Sequence, residues 1–400
     1  MDTVDRWQLP DGVDELLPER AARLEALRRR VLDLYASWGY RLVVPPLVEF
    51  TESLLEGVGA DLDILTFKVP DQPSGRTLGI RADITPQVAR IDAHALADDG
   101  VSRLCYAGST LHARQKTPLA SRAPVQAGAE LFGAATLAAD VEIINLMLAT
   151  LAAAGVDDAV TLDLGHGDVC GALLAQLALP PAVEAAVFDA LQRKSRPDLE
   201  AVLAGADARA RDSLSALLNL HGDASVLDRA AAELAPVAPA VSDALETLRA
   251  VAAQVGAHHP GVDVYFDLAE LRGYHYHTGI VFAAYLPGHG EAVANGGRYD
   301  NVGRAYGRAR PATGFATDLK TLVQLQAARA GNGGESAGAI AAPAGDDPAL
   351  VAAINELRAA GEVVIVSLAG ETDPRCDREL AAAGGSWAVR PRRGKTRQDS

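Results

Sequence analysis

The sequence predicts an α+β protein: a mostly antiparallel sheet with flanking helices, a helical insertion, and a small C-terminal α/β module. Three observations carry that reading. β-textured runs recur on both sides of a long Ala/Leu-rich stretch. That stretch, about residues 167–258, has helical periodicity and almost no strand signal. A Gly/Ser-rich segment, Gly331-Asn332-Gly333-Gly334-Glu335-Ser336, then sets off a last β-α-β pattern.

In chain order, Leu24, Leu27, Val31, Leu34, Tyr35 and Trp38 repeat at helical spacing over residues 19–38, and Gly39 is a natural stop. Leu42-Val43-Val44 reads as an edge strand, ended by Pro45-Pro46. Residues 77–81 form a strand leading to a helix near Thr85, with Pro86 in its first turn. Strands follow at 102–107 and 126–132 around a polar loop with Lys116, Pro118 and Arg122, then a helix at 137–154. After the insertion, punctuated by Pro180-Pro181, Pro236 and Pro239, β texture returns at 262–268, 274–285 and 291–299. A helix at 316–329 closes a core of residues 1–330. The module at 337–400 carries strand 338–342, helix 347–360, strand 362–368 and a basic tail from Arg390 to Lys395.

Composition narrows the class. Of 400 residues, 37 are Lys or Arg and 52 Asp or Glu, a net charge of −15. That disfavours a chain held mainly by nucleic-acid phosphates. The 49% hydrophobic content is that of a folded globular protein. Cys105, Cys170 and Cys376 are too few and too scattered for a disulfide framework or a paired-cysteine zinc site, and a reducing cytoplasm fits. The charged N-terminus lacks a signal core, and no apolar run approaches a membrane span.

Several short motifs dissolve on inspection. Gly394-Lys395-Thr396 has Val389 where a phosphate loop needs its first glycine, and only four residues follow. His275 and His277 share one face of an expected strand, but no third metal ligand is in view, so pocket lining is the better reading. Leu164 to Asp168 reads as a turn and not a nucleophile elbow.

The sharper signal is polar residues set inside apolar β segments: Arg81, Asp83 and Thr85; Gln126 and Glu130; Arg272, His275, Tyr276 and His277. Gln126, Gly128 and Glu130 fall on one face of a strand, which is either a ligand pocket or a solvated side. Glycines in Arg272-Gly273 and Gly296-Gly297-Arg298-Tyr299-Asp300 permit close backbone approach. Together they fit a zwitterion pocket, carboxylates for an amine and arginine for a carboxylate.

These segments, in this order, closely resemble histidyl-tRNA synthetase, a class II aminoacyl-tRNA synthetase, over roughly residues 8–325. Gly39-Tyr40 through Glu49 resembles motif 1, the dimer interface. Ile80 to Thr85 resembles the segment that grips the histidine amino group, and Tyr106 to Gly133 resembles motif 2. Leu271-Arg272-Gly273-Tyr274-His275-Tyr276-His277-Thr278-Gly279 resembles the histidine-specific motif, and Pro311 to Ala316 resembles motif 3. The resemblance implies a class II synthetase-like antiparallel sheet. It also implies a histidine site of Asp83, Thr85, Gln126, Glu130, Arg272, Tyr276 and Tyr299. In it Asp83, Thr85 and Gln126 take the amino group, Arg272 the carboxylate, and Glu130 and Tyr276 the imidazole.

The departures decide the expected function. The arginines that hold ATP phosphates in the synthetase fall on His112 and Thr321, and the accompanying glutamate on Arg114. Adenylate formation rests on electrostatic stabilisation, at ~3–4 kcal/mol per donor lost, and neither histidine nor threonine replaces a bidentate guanidinium. A kept amino-acid pocket without ATP chemistry is similar to the ATP phosphoribosyltransferase regulatory subunits, a family of synthetase paralogues. That resemblance implies a non-catalytic, cytoplasmic protein without cofactor or metal. It implies assembly with a short-form catalytic ATP phosphoribosyltransferase, L-histidine as allosteric ligand, and a homodimer through motif 1. The tail resembles a shortened anticodon-binding domain, so no tRNA role is expected. An active histidyl-tRNA synthetase is the alternative.

Overall fold

A computed structural model describes residues 7–57, 60–117, 120–270, 277–330, 338–368 and 373–392. The chain divides into two compact units, Met1–Ala328 and Arg329–Ser400.

The first unit opens with α1 (Pro18–Ser37), started by Pro18 and burying Leu27, Val31 and Tyr35 at helical spacing. Strand β1 (Arg41–Leu42) pairs in parallel with the sheet edge. Next come β2 (Val48–Phe50), the short helices α2 (Thr51–Leu54) and α3 (Ala60–Leu65), β3 (Phe67–Pro70) and β4 (Thr77–Ile80). β2, β4 and β3 form a separate three-stranded sheet that sequence texture did not reveal. Helix α4 (Thr85–Arg90) continues into a wider π-helical turn, Ile91–Leu96.

The main sheet is built from β5 (Ser102–Ser109), β6 (Val125–Phe132), β7 (Thr161–His166), β8 (His221–Gly222), β9 (Asp263–Asp267), β10 (Ile280–Tyr285), β11 (Ala294–Arg298) and β12 (Ala312–Asp318). Its order is β1-β5-β6-β12-β11-β10-β7-β9-β8. All pairings are antiparallel except β1 with β5 and β7 with β9. Helix α5 (Leu137–Ala153), with α1 and the insertion, covers one face through a continuous core that includes Ala129, Leu164, Phe282 and Phe315. The insertion comprises α6 (Gly167–Leu177), α7 (Pro181–Gln192), α8 (Arg196–Val202), α9 (Ala208–Leu217), α10 (Ser225–Leu234) and α11 (Val241–His258). Helix α12 (Leu319–Ala330) carries the chain to the boundary of the unit.

Three expectations need correction. The helix expected from 316 begins at Leu319, because Ala312–Asp318 is a central strand whose small residues concealed it. The strand expected from 274 begins at Ile280, and His277 precedes it. Leu164–Asp168 is no turn: the strand runs to His166, whose Nδ1 accepts from the Asp168 amide and starts α6.

The second unit contains β13 (Ala339–Ala342), α13 (Pro348–Ala359), β14 (Val364–Val366), β15 (Cys376–Ala383) and β16 (Ser386–Pro391). The β-α-β part is parallel, as its crossover helix requires. The final hairpin went unread, because Arg390 and Pro391 belong to β16 and not to a tail. Its turn is Gly384-Gly385, both at positive φ, a conformation that favours glycine. The rest of the basic run, from 393, lies outside the described residues.

Candidate histidine pocket

The face of the main sheet opposite α5 is paved at its middle with small residues. Cross-strand neighbours run Glu130, Gly314, Gly297, Val281, Gly165 across five strands. A methyl group on Gly314 would overlap Oε2 of Glu130, and one on Gly297 would come within 2.7 Å of His277 Cδ2. Glycine at these positions lets side chains lie flat on the sheet.

Glu130 is the centre. It is 1% exposed, and its carboxyl meets two tyrosines. Tyr106 donates to Oε1 at 3.1 Å, and the Tyr299 hydroxyl donates to Oε2. Tyr299 is positioned just after β11 and packs edge-on against Phe132, ring centroids 6.4 Å apart. Burial, opposed by these hydroxyls and reinforced by the Asp83 charge, pushes the Glu130 carboxyl up to about 8. An acid in such a site is protonated at neutral pH and can donate as well as accept.

The bend between β4 and α4 brings in Asp83 and Thr85. Gln126 on β6 clamps this bend: its Oε1 accepts from the Ile84 amide, and its Nε2 donates to Asp83 Oδ1, both at 2.9 Å. The Thr85 amide also donates to Asp83 Oδ1 at 2.9 Å, while Thr85 Oγ1 lies 3.1 Å from the Tyr106 hydroxyl. Asp83, Thr85, Gln126, Glu130 and Tyr299 are therefore drawn into one network. Arg272, Tyr276 and His275 lie outside the described residues.

Two sequence inferences change. The room expected at Gly128 is occupied: a methyl there would lie 2.5 Å from the Tyr106 hydroxyl. Gly128 makes way for Tyr106, which sequence reading did not single out although it sits directly across the ladder. Arg81 contacts no ligand space. Its guanidinium donates to the Ser109 carbonyl at 2.9 Å and the Pro45 carbonyl at 2.8 Å, tying the β2–β4 layer to β5. Arg298 likewise faces inward, paired with Asp140 at 2.9 Å.

Of the two residues that the resemblance sets against phosphate-binding arginines, His112 is buried and donates Nε2–H to the Ala82 carbonyl at 3.0 Å. Burial and nearby Lys116 hold this imidazole down at about 4, so it is uncharged at neutral pH. Thr321 donates to Asp318 Oδ2 at 2.9 Å.

Comparisons with known proteins identify the family. Residues 12–322 match the family described as Histidyl-tRNA synthetase, and residues 337–390 match the ATP phosphoribosyltransferase subunit HisZ C-terminal domain. The ATP phosphoribosyltransferase regulatory subunit of Pseudomonas paraeruginosa is 51% identical over 396 residues, covering 98% of this chain and 99% of that one. Its counterpart from Thioalkalivibrio sulfidiphilus is 53% identical over 386 residues, covering 94% and 96%. A solved structure from Bacillus halodurans, described as an ATP phosphoribosyltransferase regulatory subunit/histidyl-tRNA synthetase, matches with a TM-score of 0.81 at 27% identity, covering 93% and 96%. Histidyl-tRNA synthetase from Nostoc shares the fold at a TM-score of 0.76 and 17% identity, covering 94% and 91%.

Proposed function

Because this chain belongs to the ATP phosphoribosyltransferase regulatory subunits, we propose that it holds L-histidine in the Glu130 pocket and conveys that occupancy to a catalytic partner as feedback inhibition. The protein is a regulatory subunit, and the phosphoribosyl transfer belongs to a short-form ATP phosphoribosyltransferase that it also activates. The observation that carries the histidine reading is the Glu130 carboxyl, buried between Tyr106 and Tyr299 at the floor of an otherwise small-residue face. Buried and held neutral, this carboxyl can make one more hydrogen bond beside those of the two tyrosines, and an imidazole is a matching group. Asp83 takes the α-ammonium group. Arg272 takes the carboxylate and Tyr276 the imidazole edge, as the resemblance implies.

The same positions argue against aminoacyl-adenylate formation. A neutral His112 and a hydroxyl already spent on Asp318 supply no positive charge for phosphate oxygens. With a HisZ-type module at 337–390 and a charge of −15, no tRNA partner is expected. A homodimer through the motif 1 segment is supported by its exposed apolar side chains, Leu42, Val44 and Leu47.

The test is Glu130→Ala, reconstituted with the catalytic subunit. Histidine inhibition disappears while the complex still assembles. Unchanged inhibition would sink the pocket assignment. Pyrophosphate exchange into ATP, driven by histidine, would favour the synthetase reading instead.

A further inference from the structure

The loop between β5 and β6 brings His112 to the bend that carries Asp83, and the loop itself is tightly braced. The His112 amide donates to the Arg122 carbonyl at 2.7 Å, and the Arg122 guanidinium returns to the His112 and Ala113 carbonyls, both at 2.9 Å. An antiparallel bridge joins His112 to Thr66, and the Ala113 amide donates to the Leu65 carbonyl at 2.8 Å. Residues before α1 support the loop from outside: the Arg122 amide donates to the Gly12 carbonyl at 2.7 Å, and Arg122 Nη1 to the Asp11 carbonyl at 3.0 Å. Gly12 has φ +73°, and a methyl on it would lie 3.0 Å from Gln115 Cγ, so only glycine lets this segment lie against the loop. The backbone of His112 is thereby anchored.

Its side chain is buried against Ala82, which is buried as well. Ala82 lies between the end of β4 and the start of α4, so neither ladder supplies its carbonyl with a donor. His112 Nε2 is that donor, at 3.0 Å. A carbonyl only accepts, so the proton sits on Nε2, and Nδ1 carries the lone pair. Nδ1 is buried and has no hydrogen-bond partner among the described residues. The ring thus spends one nitrogen on Ala82 and leaves the other idle, a cost that a side chain present for packing alone avoids. Because burial keeps the ring uncharged, it delivers an N–H there without burying a charge. The peptide unit held this way is the one that leads into Asp83. Its neighbours are held too: the Leu111 amide donates to the Arg81 carbonyl at 3.0 Å, and Gln126 grips Asp83 Oδ1 and the Ile84 amide from the other side.

We propose that His112 is a positioning residue for the histidine site: its Nε2–H holds the Ala82 carbonyl and so sets where the Asp83 carboxylate stands to receive the α-ammonium group. It acts through the Ala82–Asp83 peptide and touches no ligand. A binding group must be held closely in place by the residues behind it, and without this bond a buried carbonyl beside Asp83 is left with no donor. The position that the resemblance sets against a phosphate-binding arginine thereby serves amino-acid binding. This inference rests on the histidine reading above.

The experiment measures L-histidine binding to the full-length chain by calorimetry, at a temperature where melting of the ligand-free samples shows each to be folded. The variants are His112→Asn, His112→Gln and Glu130→Ala. His112→Asn, whose shorter amide stops short of Ala82, weakens histidine binding roughly tenfold, equivalent to ~1.4 kcal/mol. His112→Gln, whose amide nitrogen falls near the place of Nε2, restores binding to near the parent value. Equal affinity of His112→Asn and the parent overturns the proposal, as does a glutamine variant no better than the asparagine one. A further arm needs no variant: nitrogen NMR of the parent with labelled imidazoles places the His112 proton on Nε2, and a proton on Nδ1 overturns the proposal. If Glu130→Ala abolishes binding and His112→Asn does not change it, only the positioning role falls. If the parent chain binds no histidine, the pocket reading falls and the positioning role with it.

Discussion

The Tyr299 hydroxyl donates to Oε2 of Glu130 across 169 residues of sequence, joining the end of β11 to β6 on the sheet face opposite α5. Tyr299→Phe leaves that oxygen without its donor and removes little volume. Loss of a buried hydrogen bond to a carboxyl group costs ~1–3 kcal/mol. Denaturant unfolding should show that loss, and calorimetry a weaker histidine complex. A variant with unchanged stability would mean that Tyr299 contributes shape alone.

Glu130 makes stability depend on pH in a particular direction. Its folded value, about 8, lies above the ordinary 4.5. Between these values the folded state binds the proton and the unfolded state does not, so this group's contribution is full below about 4.5 and is lost as pH rises through about 8. Glu130→Gln removes the titration. The stability difference between variant and parent should shift in the variant's favour by a few kcal/mol between pH 5 and pH 9, at about 1.4 kcal/mol per unit of raised pKa. A constant difference across that range would place the carboxyl in a far wetter site.

Gly314→Ala tests the glycine paving. The added methyl overlaps the Glu130 carboxyl, and backbone on β6 leaves it nowhere to move. Overpacking of this kind destabilises by ~1–3 kcal/mol. Thermal melting should fall accordingly, and histidine binding should be lost even where the variant is fully folded.

The buried pair of Arg298 and Asp140 belongs to the scaffold. Asp140→Asn leaves the guanidinium with carbonyls and Asp300 but no buried counter-charge. Breaking such a pair costs about 3–5 kcal/mol. Equilibrium unfolding measures this directly, and a loss below ~1 kcal/mol would show that Asp300 suffices.

The parts of this fold that were legible in sequence are those where periodicity and burial coincide. Helix α1, with Leu27, Val31 and Tyr35 on one side, could be placed within a residue or two. Strands β5 and β6 announced themselves by apolar runs between breakers. Strand β12 did not. Its Ala312, Gly314 and Ala316 are small because β6, β11 and the Glu130 carboxyl press against it, and that is a tertiary requirement with no local signature. The site shows the same division. Gln126 and Glu130 stood out as polar residues in an apolar strand, yet nothing local showed that Gln126 spends both ends of its amide clamping Asp83 and Ile84. Tyr106 was invisible because its role depends on register with Gly128.

Strands β7 and β9 are parallel neighbours. A parallel pair cannot be closed by a tight turn, because the chain must return the length of the strand before starting again. Helix α11, 18 residues and hence about 27 Å long, makes that return, leaving His258 close to the start of β9. The insertion is therefore two things. Its last helix is a strut of the sheet's own topology, whereas α7 to α10 form a cassette hung on that strut. Protein engineers could trim or exchange the cassette at the cost of the edge strand β8 alone and keep the other eight strands, but a deletion running through α11 would unpair β9.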